Sequence, residues 1–564
     1  MATPASKLDA LRIGRSEIVN HHLDELAAGR LSRREFVRRG AALGVSSMFL
    51  AAALAACGGA NSPSSSASSS STTPAAGTPR KGGTLKLAAQ TPTGAVNPIT
   101  VADLGGSTML AQTGEFLTFD NGMTRQLQPM LATSWSHNGD GTVWTFKLRH
   151  GVKFHNGKPM TADDVVYTFK QQTDSKNAAV ALSTFQGVLK PEGVVKVDPY
   201  TVAFHLESAN GNFPYIISSD NYNMIIVPAG TDFSKWERTF VGTGPFKLHS
   251  YTSNQSAHFV ANPDHWGGAP HLSATSFAFY AGQQPQIVAL QSGQVDVVSQ
   301  FAPQGAEALL KSSTYRILKV ESASHRELSM RNDIPPFNDP RVRQAIALCL
   351  DRPGMVQALL VGDGQVGNDS PFAPRFPSTD TSVPQRAQDI AKAKALLSAA
   401  GHPHGFSTTL TTGQQEEIPA LATVIAQSAS KIGVKINLKV ETLAAYYGKS
   451  TYGNSDWLDA IMSLVEYGDR GVPNVFLEAP LESTGPWNAA RFKNKTYDGL
   501  VKQYVASVDL HAQRATAGKI ERLLLNQTPL VIPYFVDILA ATNSHVGGVE
   551  VNGFAIFLGK AYLT

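Results

Sequence analysis

The sequence predicts a mixed α/β (α+β) fold built from several units, on three observations. Of 564 residues, 42% are hydrophobic and 16% charged, an ordinary globular composition. Stretches that alternate with period two interleave along the chain with stretches of helical period, which favours strands and helices mixed throughout over an all-α or all-β fold. At roughly 100–200 residues per domain the length allows two to four units, and no self-similar repeat of 20–50 residues is visible.

The first 56 residues read as an export address. Arg33 and Arg34 follow Ser32, and a further arginine pair precedes the uncharged, Ala-rich segment 40–56. A basic patch, an apolar run and small residues before a cleavage point describe a secretory signal. The paired arginines resemble a twin-arginine signal. Leu54-Ala55-Ala56-Cys57 resembles a bacterial lipobox, which implies that Cys57 becomes the lipid-modified N-terminus. The segment is short of the ~20 apolar residues a membrane span needs. Two acyl chains, at about 0.8 kcal/mol per buried methylene, hold where one does not. Residues 57–79 read as a tether of Gly, Ser, Thr, Ala and Pro, with too little apolar surface to order itself.

Beyond the tether the elements follow in order. Residues 84–88 alternate as a strand, and so do 143–148, after the turn Asn138-Gly139-Asp140-Gly141. Thr161 reads as the cap of a helix through 171, with Asp163 and Asp164 in its first turn as partners of the helix dipole. Residues 201–206 read as a strand. Asp339 caps a helix over 340–350. Residues 389–400 form an amphipathic helix stopped by Gly401, 434–440 a strand with lysines outward, and 514–525 a further helix before Pro529.

Charge and cysteine content narrow the function. The formal charge is +4, from 48 Lys+Arg against 44 Asp+Glu. That balance argues against a nucleic-acid partner, which requires a concentrated basic surface. Two cysteines exclude a disulfide scaffold. Cys349, in an apolar run, reads as a small core residue. There is no Gly-x-Ser-x-Gly, no His-Glu-x-x-His, no phosphate loop and no Gly-x-Gly-x-x-Gly. His402 and His404 read as loop residues, too few for a metal site. The sequence thus implies no catalytic residue, no resident metal and no cofactor.

Several strings together resemble the peptide/nickel-type solute-binding proteins of ABC importers (family 5, with the dipeptide and oligopeptide binders). They are Pro129-Met130-Leu131-Ala132-Thr133-Ser134-Trp135, Gly151-Val152-Lys153-Phe154-His155-Asn156-Gly157, Val241-Gly242-Thr243-Gly244-Pro245-Phe246, Asn262-Pro263-Asp264-His265-Trp266 and Pro335-Pro336-Phe337-Asn338-Asp339-Pro340-Arg341-Val342-Arg343. They run in family order over nearly all of residues 80–545. His265 stands where the family usually has Tyr. Physically these strings read as scaffold. Trp135, Trp144 and Phe146 are core aromatics, Gly242 and Gly244 let the chain turn, and Arg341 and Arg343 form structural ion pairs.

The resemblance implies a periplasmic-binding-protein-like fold of two lobes joined by two hinge crossovers. Residues 80–124, 241–327 and 529–564 would be lobe one, 125–240 its extra subdomain and 328–528 lobe two. It implies a receptor that captures a peptide between the lobes and delivers it to a membrane permease and ATPase, as a lipid-anchored monomer outside the cytoplasm, and not an enzyme. The same fold with an oligosaccharide, an opine-like conjugate or a nickel chelate is the alternative reading, and an exported hydrolase the remote one.

Residues 466–477 resemble the family's Trp-x-x-Asp-Tyr-x-x-Pro stretch. Asp469 matches the aspartate that pairs with a peptide's α-ammonium group. Glu466 stands in place of Trp and Arg470 in place of Tyr. Arg470 either forks onto a ligand carboxylate or pairs with Glu466. Tyr467 is a candidate for the displaced aromatic contact. Asn488 matches a family asparagine and is either ligand-lining or a loop-fixing hydrogen bonder.

Overall fold

The structure, a computed structural model, describes residues 24–26, 78–122 and 126–564. Of the export signal only residues 24–26 fall among them; Arg33, Arg34, the lipobox Cys57 and tether residues 58–77 lie outside. Among the described residues no helix is long and apolar enough to cross a membrane.

Two large sheets organise the molecule. In the first, seven strands run in the order Tyr315–Val320, Ile538–Asn543, Val297–Phe301, Thr84–Gln90, Ala274–Tyr280, Ser256–Ala261 and Phe246–Thr252. Thr84–Gln90 lies parallel to both neighbours at the centre. In the second, Gly364–Val366, Tyr534–Val536, His325–Met330, Met462–Tyr467, Ser407–Gly413 and Lys435–Glu441 pair in that order, with Leu530–Val531 added beside His325–Met330. A four-stranded antiparallel sheet of Ala132–His137, Val143–Leu148, Thr201–His205 and Val194–Asp198 stands beside the first. Its aromatics Trp144 and Phe146 are buried, and Trp135 stacks on Phe146 with ring centroids 6.1 Å apart.

The chain passes between the large sheets twice, at 321–324 and at Asp537. The expected boundaries, 327/328 and 528/529, lie a few residues away. Each assigns to the first lobe residues that pair in the second sheet, because a strand is defined by its distant partner and not by local composition. The crossovers are tied together: Ser322 Oγ donates to the Val536 carbonyl at 2.6 Å and Val536 N donates to the Ser324 carbonyl at 2.8 Å. Lys319 bridges Asp537 and Asp363 at 2.7 and 3.0 Å.

Local expectations are met where short-range chemistry decides. The helix Ala162–Thr173 opens with Asp164 Oδ2 accepting from Thr161 N at 2.8 Å, and Asp163 pairs with Lys196. Asp339 caps Pro340–Leu348 by accepting from Arg341 N at 2.8 Å. Cys349 is fully buried, and burial pushes its thiol up to about 12.

Two readings change. Gly242 and Gly244 do not have left-handed backbones; they permit close approach. A Cβ would lie 2.0 Å from the Thr113 carbonyl oxygen at Gly242 and 2.6 Å from that of Gln112 at Gly244. His155 supports the same turn by donating from Nε2 to the Gly244 carbonyl at 2.9 Å. Arg341 forms the expected pair with Asp339, but Arg343 is buried and spends its guanidinium on the carbonyls of Phe337, Gln527 and Thr528. A helix end presents orphan carbonyls, and an internal cation satisfies them.

Just past the first crossover the buried strand His325–Met330 carries two titratable groups. Desolvation holds His325 neutral, down to about 4, with Nδ1 donating to the Ala323 carbonyl at 2.8 Å. Desolvation pushes Glu327 up to about 8. Between pH 4.5 and 8 the unfolded Glu327 ionises while the folded one keeps its proton, so this group's stability contribution is full at low pH. It falls by about 1.4 kcal/mol per unit as pH rises. Glu327→Gln is therefore expected to match the parent near pH 4.5 and to exceed it in unfolding free energy at pH 8. The His325 contribution runs the opposite way in both proteins and cancels. Identical pH slopes in urea denaturation would refute a buried neutral Glu327.

Candidate functional site

The segment after strand Met462–Tyr467 reaches the boundary between the two sheets, and there buried charges converge. Asp469 is 3% exposed. Its Oδ1 accepts from Ala323 N of the first crossover at 2.6 Å, and its Oδ2 takes Arg375 Nη1 at 2.5 Å. Arg375 reaches on with Nη2 to Asp120 Oδ2, 2.9 Å away on strand Thr118–Asn121. Asp120 is positioned by Ser219 Oγ, which accepts from its backbone N at 2.9 Å. One guanidinium thus bridges carboxylates from opposite walls of the cleft, and three neighbouring acids hold it firmly protonated against the cost of burial.

Asp220 completes the cluster from the first wall. It is 7% exposed, and among the described residues neither of its carboxylate oxygens accepts a hydrogen bond; Asp120 Oδ1 is in the same condition. Burial first, then the Asp120 charge, pushes the Asp220 carboxyl well above the ordinary carboxylate range. Gly471 makes the approach possible, since a Cβ there would fall 1.6 Å from Asp220 Oδ2. Gly553 does the same for Asp469, with a Cβ position 2.2 Å from Oδ2.

A cavity of about 200 Å³ opens beside this cluster. Asp220, Tyr222 and Asn223 line it from one side, Arg470, Asn474 and Glu478 from the other, with Phe554 across. Arg470 donates to the Asp469 carbonyl at 2.7 Å and lies 5.6 Å from the Phe554 ring. Burial lowers its pKa, partly offset by Tyr222 and the acids nearby. Burial pushes Glu478 up to about 7. The arrangement can receive a small molecule that carries both a cation and an anion.

The five residues singled out from sequence separate in space. Asp469 and Arg470 lie at the cleft. Glu466 sits 3.6 Å from Arg326, in a group with Glu416 and Glu417, so its ion pair is with Arg326. Tyr467 is packed among Trp487, Phe476 and His325, with ring centroids 5.8, 5.9 and 5.5 Å away. Asn488 fixes its own loop: Nδ2 donates to the Phe492 and Glu482 carbonyls at 2.7 and 2.9 Å, and Oδ1 accepts from Phe492 N. Of the five, Arg470 is the one among the cavity-lining residues.

Sequence reasoning missed Asp120, Asp220 and Arg375. Arg375 is 94 positions from Asp469 and 255 from Asp120. Asp220 and Arg375 stand in irregular stretches and Asp120 on a four-residue strand, so no spacing reports them.

Comparison with known proteins places this geometry in context. Residues 126–485 match the family model described as bacterial extracellular solute-binding proteins, family 5 middle. The heme-binding protein A of Haemophilus influenzae is 28% identical over 449 residues, covering 73% of this chain and 79% of that protein. The dipeptide-binding protein of Escherichia coli is 26% identical over 459 residues, covering 76% and 84%. Among solved structures, HbpA2 from Haemophilus parasuis superimposes with a TM-score of 0.75 at 24% identity, covering 85% of this chain and 99% of that one. The periplasmic binding protein DppA from Helicobacter pylori, in complex with the peptide STSA, has a TM-score of 0.68 at 24% identity, covering 86% and 98%.

Proposed function

Because the chain belongs to the bacterial extracellular solute-binding proteins of family 5, we propose that it is the substrate receptor of an ATP-driven importer, taking a small peptide from outside the cytoplasm and presenting it to a membrane permease and its ATPase. The single observation that carries the reading is the charge balance of the cleft. Asp120, Asp220 and Asp469 face Arg375 and Arg470. Arg375 is shared by Asp120 and Asp469, while Asp220 and Arg470, which both line the cavity, have no ion-pair partner among the described residues. A zwitterion supplies both missing partners: its ammonium meets the acids and its carboxylate meets Arg470, which is suited to fork onto it. A site with these groups buried rejects ligands that leave either one unpaired.

The two crossovers supply the hinge. Asp469 joins crossover residue Ala323 to Arg375 and the opposite wall, so a ligand acting on this cluster acts on the angle between lobes. Ligand shifts the lobe equilibrium only by its differential affinity for the two states. With the boundaries moved to the crossovers at 321–324 and Asp537, lobe one (80–124, 241–320 and 538–564), its subdomain (125–240) and lobe two (325–536) are the proposed moving units. The twin-arginine signal and the acylated Cys57 belong to the same proposal: they place a monomeric receptor on the outer face of the membrane, tethered through residues 58–79. Proteins to which the chain is similar include the dipeptide-binding protein of Escherichia coli and the oligopeptide-binding protein AppA of Bacillus subtilis.

Native mass spectrometry of the purified protein, followed by denaturation and identification of what is released, tests the reading. The expected release is a small molecule with a free amine and a carboxylate, on the scale of a dipeptide for a cavity of about 200 Å³. Opine-like conjugates share that chemistry and would be distinguished by mass. A released neutral oligosaccharide or metal chelate would overturn the peptide reading and leave the transport role.

A further inference from the structure

Resting on the reading of the cleft as a peptide site, we infer that the carboxylate that receives the ligand's cationic group is Asp220, and that Asp469 instead serves as the anchor of the bridge between the walls. Both oxygens of Asp469 are already engaged, by Ala323 N and by Arg375. Asp220 is also buried, lines the cavity, and among the described residues has no hydrogen bond to either oxygen. A buried carboxylate left in that state is costly unless a proton or a cation joins it. In the empty protein the proton fits between Asp220 and the equally unpartnered Asp120 Oδ1. An ammonium group brings three donors and a full charge, which serve both carboxylates at once.

Gly471 is the second support. Any side chain at this position would collide with Asp220 Oδ2, so the second wall leaves room at this point for the carboxylate of the first. The charged and titratable groups that face Asp220 are Asp120, Arg375, Asp469 and Arg470, with Tyr215 and Tyr222 beside them. Arg375 is committed to Asp120 and Asp469, and Arg470 donates to the Asp469 carbonyl. The incoming cation therefore replaces a proton, and affinity rises with pH as the Asp220 carboxyl ionises more readily.

The test compares wild type with Asp220→Asn and Gly471→Ala. Each is offered an equimolar pool of unmodified dipeptides and the same pool N-acetylated. Wild type is expected to retain unmodified dipeptides and not acetylated ones, and to bind them more tightly at higher pH. Asp220→Asn is expected to lose at least tenfold in affinity while its ligand-free unfolding temperature stays the same or rises. Gly471→Ala, which displaces the carboxylate, is expected to weaken binding as well. Unchanged affinity in Asp220→Asn overturns the inference and spares the peptide reading. Equal retention of acetylated peptides, or an Asp220→Asn protein less stable than wild type, also overturns it, since the carboxylate would then be serving another role. Wild type that retains no dipeptide overturns the inference and the peptide reading together.

Discussion

Replacing Arg375 by methionine is expected to lower the unfolding free energy by about 3–5 kcal/mol, the range for removing one partner of a buried ion pair. Its guanidinium is 4% exposed and pairs with Asp469 at 2.5 Å and Asp120 at 2.9 Å. With it gone, Asp120, Asp220 and Asp469 face one another without a cation between them. Buried carboxylates left without their cation repel one another, so the variant is expected to be least stable at neutral pH and to regain stability as pH falls and protons replace the arginine. Lysine is not expected to rescue it, because a single ammonium on a flexible stem does not reproduce the fork that reaches two carboxylates on opposite walls. Adding Asp469→Asn to Arg375→Met is expected to cost less than the sum of the two single losses, as residues in one network couple. Guanidinium denaturation at pH 7 and pH 5 measures all of this. A loss below 1 kcal/mol, or one that does not shrink at the lower pH, would show that the bridge contributes little.

Asp369→Asn is the second large effect, also about 3–5 kcal/mol, and it lies wholly in the second lobe. Asp369 is fully buried and takes Arg352 Nη2 on both oxygens, at 2.7 and 2.9 Å. It also pairs with Arg386 Nε at 3.3 Å and accepts from Ile532 N. The backbone at Asp369 is left-handed, at φ 54°. Asparagine is among the residues that tolerate that conformation, so the substitution keeps the backbone and much of the shape and removes the charge. Arg352, itself 1% exposed, is then a buried cation beside a second one. Calorimetry is expected to show a drop of about 6 °C or more, from the 2–4 °C per kcal/mol typical of large domains. A drop of less than 1 °C would mean that the two arginines find other partners.

Much of the fold was legible because it is decided locally. The alternation at 84–88 and 143–148, the Thr161–Asp164 helix opening and the Asp339 cap each depend on residues within a few positions of one another. The structure places strands Thr84–Gln90 and Val143–Leu148 and helices Ala162–Thr173 and Pro340–Leu348 there. The strings that resemble the family were equally legible, although their physical reason was misjudged at Gly242 and Gly244. A glycine needed for a turn and one needed for close contact look alike in one dimension. Only the Thr113 and Gln112 carbonyls above them tell the two apart.

The candidate site divides along the same line. By itself the sequence determined a mixed α/β chain, with a charged segment at 466–470 where the family usually carries aromatics. Tertiary structure alone decided what those charges do. It gave Glu466 to Arg326, buried Tyr467 in an aromatic cluster, spent Asn488 on its own loop, and assembled Asp120, Asp220 and Arg375 around Asp469. The physical reason is that the energy of a buried charge depends on the charges within a few ångströms of it. Those neighbours come from positions up to hundreds of residues away, and folding alone brings them within reach.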